Sequence, residues 1–572
     1  MTYLPAAAEL AALAGRFWDG YLETNPIFAT IIGDRRFDDR LPDHSSEAQA
    51  RAAAQFEEIA GRARAIDPGA LDQAQRVTRQ MLIDEASGVA ATIRTGTDEW
   101  TVDPLGGPTV SLLDLVDWHT VERPEGGEAL LARWRAVGRY LDQAVDGLRR
   151  AAAEGRVACA APVERVVDVL RTLEEQPPES WRMAAPAQAP LDGWSEADAE
   201  RFREAVVATV RDVAIPAFRR YLEVLEREIH PQARPPDRPG LVHVPDGADA
   251  YRTLIRVHTT LDLEPEAIHQ TGLDEIARID AEFVELGARV LGTRDLASTL
   301  ARLRDDPALR FSTSDEVFAT AKASLARATA AIPDWFGRLP GAACVVVPIP
   351  DHSAPHQTIA YYYWPAMDGS RPGRYYINLH APETRPRYEA EALAFHESIP
   401  GHHLQIAIAQ ELEGLPAFQR NLGSTAFAEG WGLYTERLAD EMGLYSSDMD
   451  RFGILSFDAW RAGRLVVDTG MHALGWTRQE AIDFLAAHTA LGLNNIANEV
   501  DRYIVWPGQA LAYKTGQLEI LRLREGAKGR LGARFDIKDF HDTVLGSGAV
   551  SLPALGDIVE RWLRTVETPG GN

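Results

Sequence analysis

His396-Glu397-Ser398-Ile399-Pro400-Gly401-His402-His403 interrupts a helical stretch of this chain, and its reading decides how the second half is built. Two histidines four residues apart on one helix, with a glutamate after the first, form a zinc site with a general base beside it. Here the fourth position is Pro400, which cannot ligate a metal. On an unbroken helix a six-residue step rises about 9 Å and falls out of phase, and a seven-residue step rises about 10.5 Å. Zn–N bonds are only about 2.0–2.1 Å, so neither His402 nor His403 could share an ion with His396 on such a helix. Pro400 removes a backbone donor and its ring clashes with the carbonyl of His396, while Gly401 tolerates backbone angles closed to other residues. The two together predict a break that loops out two residues and returns His402 to the usual place of the second histidine. His403 is the alternative.

A catalytic zinc takes three protein ligands and leaves a fourth position for water. The third ligand is sought downstream, in Thr425-Ala426-Phe427-Ala428-Glu429-Gly430-Trp431-Gly432-Leu433-Tyr434-Thr435-Glu436. Glu429 stands among small and apolar residues, where an unpaired carboxylate is costly and a metal ligand is not. Glu436, seven residues on, shares its face and is placed to orient a ligating histidine. The competing reading is a pair of glutamates bound to arginines of a neighbouring helix. Two His and one Glu suit Zn²⁺, one per chain, without excluding Mn²⁺ or Co²⁺.

Working outward, apolar residues recur at three- and four-residue spacing through most of the chain. Clear helical stretches are 128–153, 197–229 with a kink or break at Pro216, and 314–331. Strand signals cluster at Cys344–Val347, ended by Pro348, at 358–364, and at 374–379 after a Gly/Pro turn, predicting a small sheet with a hairpin. An edge of that sheet could hold an extended peptide. The class is therefore mainly α: a large helical body with a central cleft and a small β-sheet near residues 344–379. It is read as one domain over residues 1–572, with a metal-binding half at 341–572. The Pro-rich stretch 231–240 is a candidate sub-boundary or exposed loop.

The 572 residues carry 59 Lys+Arg against 84 Asp+Glu, a net charge of −25, which argues against a nucleic-acid partner. No stretch has the ~18 apolar residues of a membrane span, and the N-terminus lacks a basic region followed by an apolar block. A cytoplasmic location with no membrane partner is the expectation. Cys159 and Cys344 are far apart in apolar company, so neither a disulfide framework nor a cysteine metal site is expected.

H-E-x-x-P-G-H-H-L-Q followed by A-E-G-W-G-L-Y is similar to the bacterial DUF885 family, whose members resemble gluzincin metallopeptidases. The likeness extends to residues 30–42, 464–476 and 502–514. It implies a mostly helical fold around a metal cleft and leaves the substrate open. The dipeptide Arg502-Tyr503 resembles the Arg-Tyr of angiotensin-converting-enzyme-like peptidases, which implies Tyr503 as the hydroxyl facing the scissile carbonyl. Tyr513 is a second candidate, and Arg502 and Tyr513 are the substrate-binding candidates. Asp468 and His472 form either a supporting carboxylate–imidazole pair or a local contact, and His352, His356 and His380 flank the sheet. The expected function is a zinc-dependent metallopeptidase that hydrolyses peptide bonds through a metal-bound water with Glu397 as general base. The alternatives are a zinc amidohydrolase for a small or modified amino-acid amide, and a non-catalytic protein stabilised by a metal.

Overall fold

Three- and four-residue apolar spacing gives helices throughout the computed structural model, which describes residues 5–350, 354, 358–366, 369 and 371–567. The fold is mainly α, with one three-stranded sheet among the described residues. The six helices that build the candidate site are α1 (Ala390–Glu397), α2 (His402–Glu411), α3 (Thr425–Glu441), α4 (Arg451–His472), α5 (Leu493–Val505) and α6 (Leu511–Leu531).

The sheet comprises β1 (Cys344–Pro348), β2 (Ala360–Tyr363) and β3 (Gly373–Ile377), in the order β1-β3-β2. β2 and β3 pair as the antiparallel hairpin that the sequence predicts, and β1 joins β3 in parallel. Residues on one face of β3 point inward: Tyr375 and Ile377 pack with Leu393 and Ala394 of α1 and with Phe457 of α4. The sheet thus backs the motif helix.

The largest apolar cluster joins the N-terminal helices, through Phe17 and Phe56, to Phe395, Trp431 and Tyr434 of the metal-motif half. Trp431 is fully buried, and replacing it with alanine is expected to cost about 3–5 kcal/mol. A second cluster, around Trp134 and Tyr221, lies within residues 41–229.

Two readings of the sequence change here. Of the kink or break expected at Pro216, the break is absent: wide π-helical turns at Val210–Ala214 and Leu225–Ile229 flank helix Ile215–Val224. The wide turn just before the proline accommodates its missing N–H and its ring within a continuing helix. The stretch 128–153 divides at Ala136 into Pro124–Arg135 and Val137–Ala153. The loop 231–240 exposes residues 235–238 but is pinned by buried Arg234, which donates to the carbonyls of Val157 and Pro239 at 2.9 Å each. Cys159 and Cys344 are free thiols. Among the described residues no helix is long and apolar enough to cross a membrane.

Candidate metal centre

The break between the histidines falls where Pro400 and Gly401 place it: α1 ends at Glu397 and α2 starts at His402. A side chain at Gly401 would collide with the carbonyls of Phe395 and His396, so this tight return needs glycine. The loop is tied down by Trp431, whose indole Nε1 donates to the Pro400 carbonyl at 3.0 Å, and by the His403 amide, which donates to Ser398 at 3.0 Å.

The returned chain brings His396, His402 and Glu429 together, with one donor atom of each within 4.8 Å of the others. Glu429 Oε2 lies 3.6 Å from Nε2 of His396 and 3.6 Å from Nε2 of His402. Two ligand atoms bound tetrahedrally to one zinc are about 3.4 Å apart, so the donors fit that ion. The side chains of His402 and Glu429 remain 13% and 23% exposed, against 4% for His396, which leaves one side open for a water or a carbonyl.

Glu436 is fully buried, and its Oε1 accepts a 2.8 Å hydrogen bond from His396 Nδ1. With Nδ1 spent on Glu436, Nε2 is the ring atom that faces Glu429 and His402, free to present its lone pair once deprotonated. The other oxygen of Glu436, and Nδ1 of His402, are buried without a hydrogen-bond partner among the described residues. Burial works to lower the His396 pKa, but Glu429 and Glu436 outweigh it and hold the imidazole up at about 9. Burial works to raise Glu429, and the two histidines beside it pull its carboxyl well below the usual range. Both directions describe a pocket built for positive charge.

His403 is fully committed elsewhere. Its Nε2 donates to the Ala342 carbonyl at 3.0 Å, and its Nδ1 accepts from the Tyr362 hydroxyl at 2.8 Å. Burial pushes it down to about 4, so it is a neutral imidazole anchoring α2 to the sheet. Between the two adjacent histidines, the geometry favours His402.

Glycines let the helices approach. A Cβ at Gly432 would stand 2.7 Å from the His396 ring, and a side chain at Gly516 would collide with the Ala426 carbonyl. The backbones of α3 and α6 therefore nearly touch at Gly430 and Gly516, which brings Tyr513, three residues before Gly516 on α6, toward Glu429. Burial and then the charge of Glu429 raise the Tyr513 pKa.

Glu397 is half-buried and has no hydrogen-bond or ion-pair partner among the described residues. Tyr375, fully buried beside it, has a hydroxyl without a partner among the described residues. Tyr503 is differently placed: its hydroxyl accepts from Trp460 Nε1 and Arg464 Nε, each at 3.0 Å, and donates to Glu499 at 2.7 Å. Arg502 is held by Glu499 and Gln509. Asp468 and His472 do not pair. Asp468 accepts from Tyr251 at 2.5 Å and from the Gly508 amide at 3.1 Å, whereas His472 joins the Leu241 amide to the Tyr503 carbonyl. His380 is exposed, and His352 and His356 lie outside the described residues. Sequence reading missed Arg461, Arg464 and Tyr375, although charges at 458, 461 and 464 inside an apolar helix were a visible signal.

A cavity of about 1680 Å³ is lined by residues including Tyr21, Glu85, Asp98, His258 and Thr425. No candidate metal ligand lines it, but Thr425 stands one turn from Glu429 on the same face of α3.

A helical body with a small sheet behind a His-His-Glu cluster defines the class. The chain belongs to the DUF885 family, described as bacterial protein of unknown function, whose model matches residues 26–559. It is similar to the crystal structure of a "putative lipoprotein" from Colwellia psychrerythraea, at 26% identity and a TM-score of 0.91, covering 98% of this chain and 100% of that one. It also shares its fold with a "putative lipoprotein of unknown function" from Shewanella oneidensis, at 16% identity and a TM-score of 0.77, over 96% and 99% of the two chains. No curated protein matches it.

Proposed function

We propose that this chain is a zinc-dependent metallopeptidase in which His396, His402 and Glu429 hold the ion and Glu397 is the general base. The observation that carries the reading is the convergence of three donors at zinc spacing, with an unpartnered carboxylate next to one ligand and Glu436 behind it. When bound, zinc supplies a Lewis acid that polarises a carbonyl and acidifies water. Glu397 accepts the proton of the attacking water and passes it to the leaving amine. The hydroxyl best placed to steady the oxyanion is that of Tyr513: the proton of Tyr503 is spent on Glu499, while Tyr513 has no hydrogen bond among the described residues and lies toward Glu429. Tyr503 then acts by holding Arg464 and Glu499 in place.

The small-amide reading is tested by comparing a peptide library with single amides on the zinc-loaded protein. A merely structural metal has no use for the unpartnered Glu397, and the test is the Glu397→Gln variant. It should retain zinc near one per chain and lose hydrolysis, and full activity in that variant would overturn the proposal. The cytoplasmic expectation stands beside an extracytoplasmic one, suggested by the lipoprotein descriptions of the two similar structures, and cell fractionation decides between them.

A further inference from the structure

Arg461 lies in the middle of α4 and is 6% exposed, with its guanidinium 4.4 Å above the Trp460 ring and 4.6 Å above that of Phe457. Its Nε and Nη1 are buried without any hydrogen-bond acceptor, and it forms no ion pair among the described residues. Three residues on, Arg464 is 3% exposed and its Nη1 is likewise buried and unpartnered. Arg464 and Arg502 share a single carboxylate, Glu499. Glu389 senses the Arg461 charge, but its carboxylate is held by Ser456 at 2.6 Å and does not bond the guanidinium. Two guanidiniums thus share one carboxylate, and Arg461, three residues before Arg464 on the same helix, has no anion among the described residues.

This patch adjoins the metal cluster. Phe457, under Arg461, packs with Leu393 and Ala394 of α1, one turn before Glu397. The Tyr513 ring lies 4.4 Å from the Arg464 guanidinium, and its hydroxyl senses Glu429, Arg464, Arg502 and Arg461 together. A buried guanidinium without an anion is expensive, and its planar fork matches a carboxylate bidentately.

We infer that Arg461, assisted by Arg464, is the subsite for a carboxylate of the substrate, next to the scissile amide. This deepens the metallopeptidase reading and rests on it for the nature of the substrate. The carboxylate is either a free C-terminus, which would make the enzyme a carboxyl-end exopeptidase, or an acidic side chain.

The test is equilibrium binding, by calorimetry, of three probes to zinc-loaded and metal-free full-length protein: N-benzoyl-Gly-Leu, its C-terminal amide, and the α-amide of N-benzoyl-Gly-Glu, whose only carboxylate is on the side chain. The expected result is that one of the two carboxylate probes binds about 30-fold more tightly than the neutral amide, as a charge-assisted pair allows. Which of the two it is names the source. Arg461→Gln should reduce that preference to within about 3-fold, and Arg461→Lys should keep part of it. Circular dichroism and the melting temperature verify that the variants fold; if Arg461→Gln does not, the lysine variant and the probe ranking on the parent protein carry the test. Equal binding of all three probes, no binding of any, or a preference unchanged in Arg461→Gln overturns the inference. A carboxylate preference with no hydrolysis of any probe or library peptide would overturn the hydrolase reading and leave the anion site standing.

Discussion

Two charged residues three positions apart on α4 have opposite surroundings. Asp458 is fully buried and bonded to Lys514 at 2.5 Å, to Arg437 at 2.5 Å and to Arg278 at 3.2 Å. Glu275 and Glu282 balance those cations, so the network closes on itself. Burial works to raise the Asp458 pKa, and the three cations drive it far below the usual carboxylate range. Arg461, one turn along, has aromatic rings but no acceptor among the described residues. The first cluster is complete without a ligand and the second is not. The same contrast separates His403, with both nitrogens bonded, from His402, whose Nε2 faces Glu429. Closed polar networks hold this fold together; the open ones at His402 and Arg461 are the two that the proposals above fill.

The largest expected effects break the comparison at its ends. Asp458→Asn strands Lys514 and Arg437 in the interior and should cost about 3–5 kcal/mol in urea unfolding. On the open side, Glu397→Gln should lower hydrolysis by about 10²–10⁴-fold with zinc content unchanged by elemental analysis. Glu436→Gln removes the charge behind His396, and competition with a chelator should show zinc affinity weaker by about 10–100-fold.

Smaller effects sharpen it. Asp468, also on α4, is buried with hydrogen bonds but no ion pair among the described residues, and burial pushes its carboxyl up to about 7. A folded-state pKa above the unfolded value of about 3.9 means that folding takes up a proton. The stability from this group is fully present below about pH 4 and is lost as pH rises through about 7. Between pH 6 and 8 the loss should be about 1 kcal/mol, and Asp468→Asn should remove that slope in denaturation measured at both pH values. Last, Arg461→Met should change stability by less than about 1 kcal/mol, because the lost cation–π contacts offset the removal of an unpaired buried charge. A cost near that of Asp458→Asn would show that Arg461 belongs to the closed class.

The convergence of the candidate ligands was legible because the motif encodes its own geometry: Pro400 and Gly401 foretold the break, and Glu429 followed at a legible spacing. The hairpin and the helical class were legible in the periodicity. The continuation through Pro216 was not, since a π-helical turn leaves no mark in apolar spacing. Nor could the sequence show that the Tyr503 hydroxyl is bonded to Glu499, or that Asp468 and His472 face different partners, because those contacts join elements distant in the chain. Arg461 was overlooked for the converse reason: its significance is the lack of a partner, which only the packed structure reveals.

The central claim is tested most directly by an anomalous-scattering map at the zinc edge from crystals of zinc-loaded protein. The account predicts one ion, about 2.0–2.2 Å from Nε2 of His396, Nε2 of His402 and a carboxylate oxygen of Glu429, with an open fourth position and His403 still on Tyr362. An ion ligated by His403, a site closed by four protein ligands, or no ion at this cluster would contradict it.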